Sequence, residues 1–94
     1  MLYEVLASDK VSVFLSTLSI KSKNIITKNL SKLSSPYPGR GSGDKEKLVI
    51  SGEILYRLHI GRSYTAFYIL DEENKLVRVI EVLTIEAAHK KYGF

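Results

Sequence analysis

Ninety-four residues, 45% of them hydrophobic and 26% charged, specify one globular domain spanning 1–94, because the chain is too short for two cores. The lack of cysteine excludes disulfide scaffolds, zinc ribbons and thiol catalysis, and two histidines are too few for a histidine-built metal site. No apolar run reaches the roughly 18 residues a membrane helix needs and the N-terminus has no signal-like pattern, so a cytoplasmic protein is expected.

Leu2 to Leu6 is short, partly alternating and rich in strand formers, which predicts a first strand. Ser8 or Asp9 then offers an N-cap oxygen, and Val11, Phe14, Leu15 and Leu18 follow at the spacing of one helix stripe. After a break at Ser16 to Ser19, a second helix is predicted over Ile20 to Leu33, with Ile26, Leu30 and Leu33 on one face. The segment 34–43 is rich in proline, glycine and serine, so it reads as a loop, with Gly39 to Gly43 a flexible connector.

Beyond it the apolar period changes from that of a helix to that of a strand. Strands are predicted at Lys47–Ser51, Ile54–Ile60, Tyr64–Leu70 and Leu76 to Leu83 or Thr84, joined by short turns that pair neighbours antiparallel. Ile85 to Tyr92 then forms a short helix, with Thr84 as its N-cap. The result is an α+β fold, β-α-α-β-β-β-β, with an antiparallel sheet packed on an N-terminal helix pair and a short C-terminal helix.

Charge divides unevenly along this order. Residues 1–43 hold six basic residues against Glu4 and Asp9, net +4, while residues 44–94 hold eight of each sign. A basic half suits a polyanion or an acidic partner chain, although a solvated lysine-rich helix face is the plainer explanation of the charge alone.

Strand alternation identifies a candidate surface. Ile54, Tyr56, Leu58 and Ile60 form the apolar set that should meet the helices, so Arg57 and His59 project from the opposite face. About 7 Å separates alternate residues of a strand, near enough for both to contact neighbouring phosphates. Arg62 sits in the following turn, and the tail adds His89, Lys90, Lys91 and Tyr92, with His89 and Tyr92 on one helix face. Cations with one aromatic ring suit single-stranded nucleic acid.

Cleaving RNA requires that the 2′-OH lose its proton, that phosphate charge be stabilised and that the leaving 5′-oxygen be protonated. His59, His89 and Tyr92 are candidate proton carriers and Arg57, Arg62, Lys90 and Lys91 candidate phosphate ligands. The 2′-OH is an internal nucleophile, so neither a metal nor another cofactor is expected. Both histidines also read as ordinary half-exposed side chains. Asp71-Glu72-Glu73 lacks the spacing of a calcium loop, and the 39–43 glycines match neither phosphate-binding fingerprint.

The run Leu55-Tyr56-Arg57-Leu58-His59-Ile60-Gly61-Arg62-Ser63-Tyr64 through Asp71-Glu72 resembles the core hairpin of RelE/ParE-type toxins, with a tyrosine/basic/apolar/basic strand, a glycine turn and an apolar-aromatic strand. The ending Thr84 to Gly93 is similar to the tail of archaeal-style RelE members. The resemblance implies the toxin of a type II toxin–antitoxin pair that cuts mRNA on the ribosome without metal. A small acidic antitoxin, the ribosome and mRNA are then its partners, and no membrane is involved. By position it implies catalytic roles for Arg57, His59 and Tyr92; the residues themselves add His89 as a catalytic candidate and Arg62, Lys90, Lys91 and Lys47 as candidate RNA or phosphate contacts. Two positions depart from the pattern. Thr65 stands where active ribonucleases carry an arginine, and Ile85 stands near the arginine that follows the last strand. These departures imply an alternative, a catalytically weakened or ParE-like homologue that acts by binding a protein, either gyrase or its antitoxin alone.

Overall fold

A computed structural model describes residues 2–38 and 44–93. The chain runs β1 (Glu4–Ala7), α1 (Asp9–Ser16), α2 (Ile20–Leu30), a 3-10 turn at Ser31–Ser34, β2 (Lys45–Ile50), β3 (Glu53–Ile60), β4 (Tyr64–Asp71), β5 (Leu76–Thr84) and α3 (Ile85–Tyr92). Every expected element is present. The second helix tightens to 3-10 geometry over its last four residues, and β2 begins two residues early. The reading of Gly39 to Gly43 as a connector falls outside the described residues.

Helix ends follow local chemistry. Ser19 and Thr84 each accept a backbone N–H from three residues on, at 3.2 Å, which starts α2 and α3. Ser8 occupies the N-cap of α1 without such a bond, because its hydroxyl donates to the Ile80 carbonyl of β5. The cap expected there is replaced by a tie between helix and sheet. Gly93 closes α3 at φ 79°, the left-handed conformation that glycine adopts without strain.

The strands form one sheet in the order β1-β5-β4-β3-β2. β2 to β5 are an antiparallel meander, and Ser51 and Gly52, at φ 53° and 81°, make the tight β2–β3 hairpin. The wholly antiparallel sheet expected from the sequence is corrected at one edge, where β1 lies parallel to β5 from Glu4↔Leu76 to Ala7↔Val79. The helices carry the chain from β1 at one edge of the sheet to β2 at the other. β1 therefore has no hairpin partner and occupies the free edge of β5.

Alternation assigns the two faces. Tyr56, Leu58, Ile60, Ala66, Tyr68, Val77, Val79 and Val82 pack with Val11, Ile26, Leu30 and Leu33 of the helix layer into one core. Ile54, expected in this set, is exposed at the hairpin end of its strand. A smaller cluster of Leu48, Phe67 and Ala88, with Leu55, Leu83 and Tyr92 against it, holds α3 on the opposite face. The register shifts between Phe67/Tyr68 on β4, where Phe67 faces Glu81 and Tyr68 faces Val79, leaving Ile80 as the extra residue of a β-bulge. Among the described residues, no helix is long and apolar enough to cross a membrane.

Candidate nucleic-acid interface

The face opposite the helix pair carries a row across four strands: Glu46 of β2 faces Arg57 of β3, Arg57 faces Phe67 of β4, and Phe67 faces Glu81 of β5. The pleat puts directly paired residues on one side of a sheet, so pairing alone assembles this row. His59 stands two residues beyond Arg57, facing Thr65.

At one end, Glu46 joins the two basic groups. Its Oε2 accepts from Arg57 Nη2 at 2.7 Å and its Oε1 meets His59 Nε2 at 2.7 Å. The hydrogen bond from His59 is the largest influence on this carboxyl; with Arg57 it outweighs partial burial and holds the group below its usual range. Beside the pair is a hollow of about 180 Å³ lined by Arg57, His59, Thr65, Ile85 and Ala88. Arg57 is largely covered, with 13% of its side chain exposed, while His59 and Glu46 are open to solvent on one side. Thr65 is buried and its hydroxyl donates to the Leu58 carbonyl, so it closes the floor without offering a charge.

At the other end, buried Glu81 takes the last two side chains of α3, Lys91 and Tyr92. Lys91 Nζ lies 2.8 and 3.1 Å from its two oxygens and the Tyr92 hydroxyl donates at 2.6 Å. Burial pushes the Glu81 carboxyl up, but the bonds from Lys91 and Tyr92 reverse this and hold it below its ordinary value. Burial, reinforced by the same carboxylate, pushes the Tyr92 phenol up to about 12. The Tyr92 ring lies 4.4 Å from that of Phe67, centroid to centroid.

Arg57, His59 and Tyr92 thus share one face, but not one environment. Arg57 and His59 meet at the hollow, whereas the Tyr92 phenol is committed to Glu81 and its ring to Phe67. Lys91 is likewise held by Glu81. His89 and Lys90 are exposed on α3 and line a separate shallow surface with Ile85 and Glu86. Arg62 is exposed in the turn whose Ser63 carbonyl accepts from Ile85 N, at the start of α3. Lys47 is a correction. It faces Tyr56, a core residue on the helix side, so alternation directs it to the opposite face from Arg57.

Two residues of the row escaped the sequence reading. Glu46 lies between Lys45 and Lys47 and reads as ordinary surface charge; only the pairing register brings it to Arg57. Glu81 carried a usable signal, a lone acid within the otherwise apolar Val79-Ile80-Glu81-Val82-Leu83.

No protein-family model and no curated protein matches the sequence. Solved structures are. RelE in the archaeal RelE–RelB complex from Pyrococcus horikoshii OT3 superposes with a TM-score of 0.70 at 22% identity, covering 89% of this chain and 96% of that one. The toxin–antitoxin complex RelBE2 from Mycobacterium tuberculosis gives 0.72 at 16% identity, with 89% and 99% covered. YafQ from Escherichia coli gives 0.64 at 18% identity, with 90% and 96% covered. The chain therefore has the α+β fold of the RelE toxins over nearly its whole length.

Proposed function

We propose that this protein is the toxin of a type II toxin–antitoxin pair and acts in the cytoplasm as a metal-independent endoribonuclease on ribosome-bound mRNA. The observation that carries this reading is the placement of Arg57 and His59 side by side at a solvent-facing hollow, on the sheet face opposite the helix pair, within a RelE-type fold. The guanidinium of Arg57 neutralises the non-bridging phosphate oxygens as negative charge builds on them, and His59 exchanges a proton with the reacting oxygens. Arg62 in its exposed turn, and His89 and Lys90 on the separate surface of α3, hold phosphates farther along the RNA strand. Tyr92 and Lys91 act through Glu81 by fixing α3. A small acidic chain is the expected antitoxin, since this chain carries +4.

The test is to express the protein without a partner and map mRNA ends on translating ribosomes. Cuts confined to the ribosomal A site, lost on Arg57→Ala, support the reading; intact mRNA during growth arrest rejects it. The latter outcome belongs to the second reading, a toxin that acts by binding a protein such as gyrase, or a weakened homologue bound only by its antitoxin. That reading is favoured by one observation: buried Thr65 and apolar Ile85 line the hollow without adding a charge to it.

A further inference from the structure

β5 changes sides in mid-strand, and the seat of α3 depends on that change. Val77 and Val79 face the core beneath the helix pair, so unbroken alternation would send Glu81 into the same apolar core. The extra residue Ile80 resets the count: Glu81 lies opposite Phe67 on the α3 side, and Val82 returns to the core. The Glu81 carboxylate then takes Lys91 and Tyr92, while Ile85 and Ala88 of the same helix line the hollow beside Arg57 and His59. One wall of the hollow therefore hangs on the bulge.

The bulge is fastened from the edge of the sheet. A bulge disrupts the ladder locally, so a carbonyl there needs a donor from elsewhere. Ser8, between β1 and α1, supplies one: its N–H donates to the Val79 carbonyl at 3.0 Å and its hydroxyl to the Ile80 carbonyl. The hydroxyl does this at the expense of α1, whose first turn receives no side-chain cap although Ser8 stands at the N-cap. Packing is incomplete at this point, because a hollow of about 280 Å³ opens beside Ile80 between Leu6, Ile69 and Arg78. The Lys10 ammonium, two residues beyond Ser8, adds to the charge that favours the ionised Glu81 carboxyl. We propose that Ser8 is a positioning residue: through the Ile80 carbonyl it fixes the bulge that aims Glu81, and through Glu81 it seats α3 against the basic hollow. Ser8 itself does not line that hollow. The seating of α3 stands apart from what the hollow does; its consequence for cleavage rests on the ribonuclease reading above.

The test separates this role from that of an ordinary helix cap. Ser8→Thr keeps the hydroxyl donor; Ser8→Asp keeps a good N-cap but has no proton to donate at neutral pH; Ser8→Ala removes both. Amide exchange in α3 is followed by NMR on each, beside Ser19→Ala, which removes the cap bond of α2 to Ser22 N. α3 is expected to exchange at least about fivefold faster in Ser8→Ala and Ser8→Asp, and within about twofold of wild type in Ser8→Thr and Ser19→Ala. In a Glu81→Gln background Ser8→Ala should add less than about twofold, because both changes act on one line of contacts. In single turnover on ribosome-bound mRNA, Ser8→Ala and Ser8→Asp should cleave at least about fivefold slower at saturating ribosomes, and Ser8→Thr should not. Slow exchange in Ser8→Asp makes Ser8 a helix cap and overturns the proposal, as does fast exchange in Ser8→Thr. Equal acceleration by Ser8→Ala with and without the Glu81 carboxylate overturns the route through Glu81. If wild type leaves the mRNA uncut, the ribonuclease reading fails and the exchange comparison still decides the role of Ser8. If wild type cuts and Ser8→Ala loosens α3 without slowing cleavage, the link from α3 to the hollow is overturned.

Discussion

The same strands build two unlike surfaces. Toward the helix pair they present Tyr56, Leu58, Ile60, Ala66, Tyr68, Val77, Val79 and Val82, nearly all sealed from water. Toward α3 they present Arg57, His59, Thr65, Phe67 and Glu81, with a small apolar cluster around Phe67 and Ala88. On the first face free energy comes from removing apolar area from water, about 25 cal/mol per Å². On the second, carboxylates take the cations and a phenol, and pairs open to water add little net stability. A single period-2 pattern therefore separates the part of the molecule that holds it together from the part available for chemistry.

The largest expected effect breaks the first face. Leu58→Ala leaves a cavity in a fully buried site and should cost about 2–5 kcal/mol, read as a lower urea midpoint at unchanged slope. A loss under about 1 kcal/mol would erase the contrast between the faces. Glu81→Ala comes next. It leaves the Tyr92 hydroxyl without its acceptor in a partly buried setting, at about 1–3 kcal/mol, with amide exchange quickening in α3 before the central strands. This residue also gives a pH signature. Its folded carboxyl is held below the ordinary value of 4.5, so its contribution is complete above that value and disappears as pH falls through the depressed one. Acid should therefore loosen α3 in wild type, and Glu81→Gln should remove that component from the pH titration of stability. Tyr92→Phe is milder, about 0.5–1.5 kcal/mol by thermal denaturation, because the ring stays on Phe67 and only the hydroxyl contact is lost.

How far the sequence spoke depended on whether the information was local. The alternation of Ile54 to Ile60, the caps at Ser19 and Thr84 and the helix stripe ending in Leu33 are local, so strands, helices and the facing of Arg57 and His59 were readable from them. Which strand lies beside which is not local. The parallel seat of β1, the bulge at Ile80 and the union of Glu46 with Arg57 all depend on register between distant segments. The facing of Lys47 depends on register too: its partner across the sheet is the core residue Tyr56. Tyr92 was readable to its face and not to its bond, because Glu81 reaches it only after α3 folds back over β5.

The smallest expected effect on stability carries the greatest functional weight. His59→Ala removes a one-third-exposed side chain and should change stability by no more than about 1 kcal/mol. The most direct test of the account measures, on one preparation of this variant, both the urea midpoint and the rate of A-site mRNA cleavage beside wild type. The account predicts an almost unmoved midpoint with cleavage lost. Cleavage at the wild-type rate by the folded variant would contradict it.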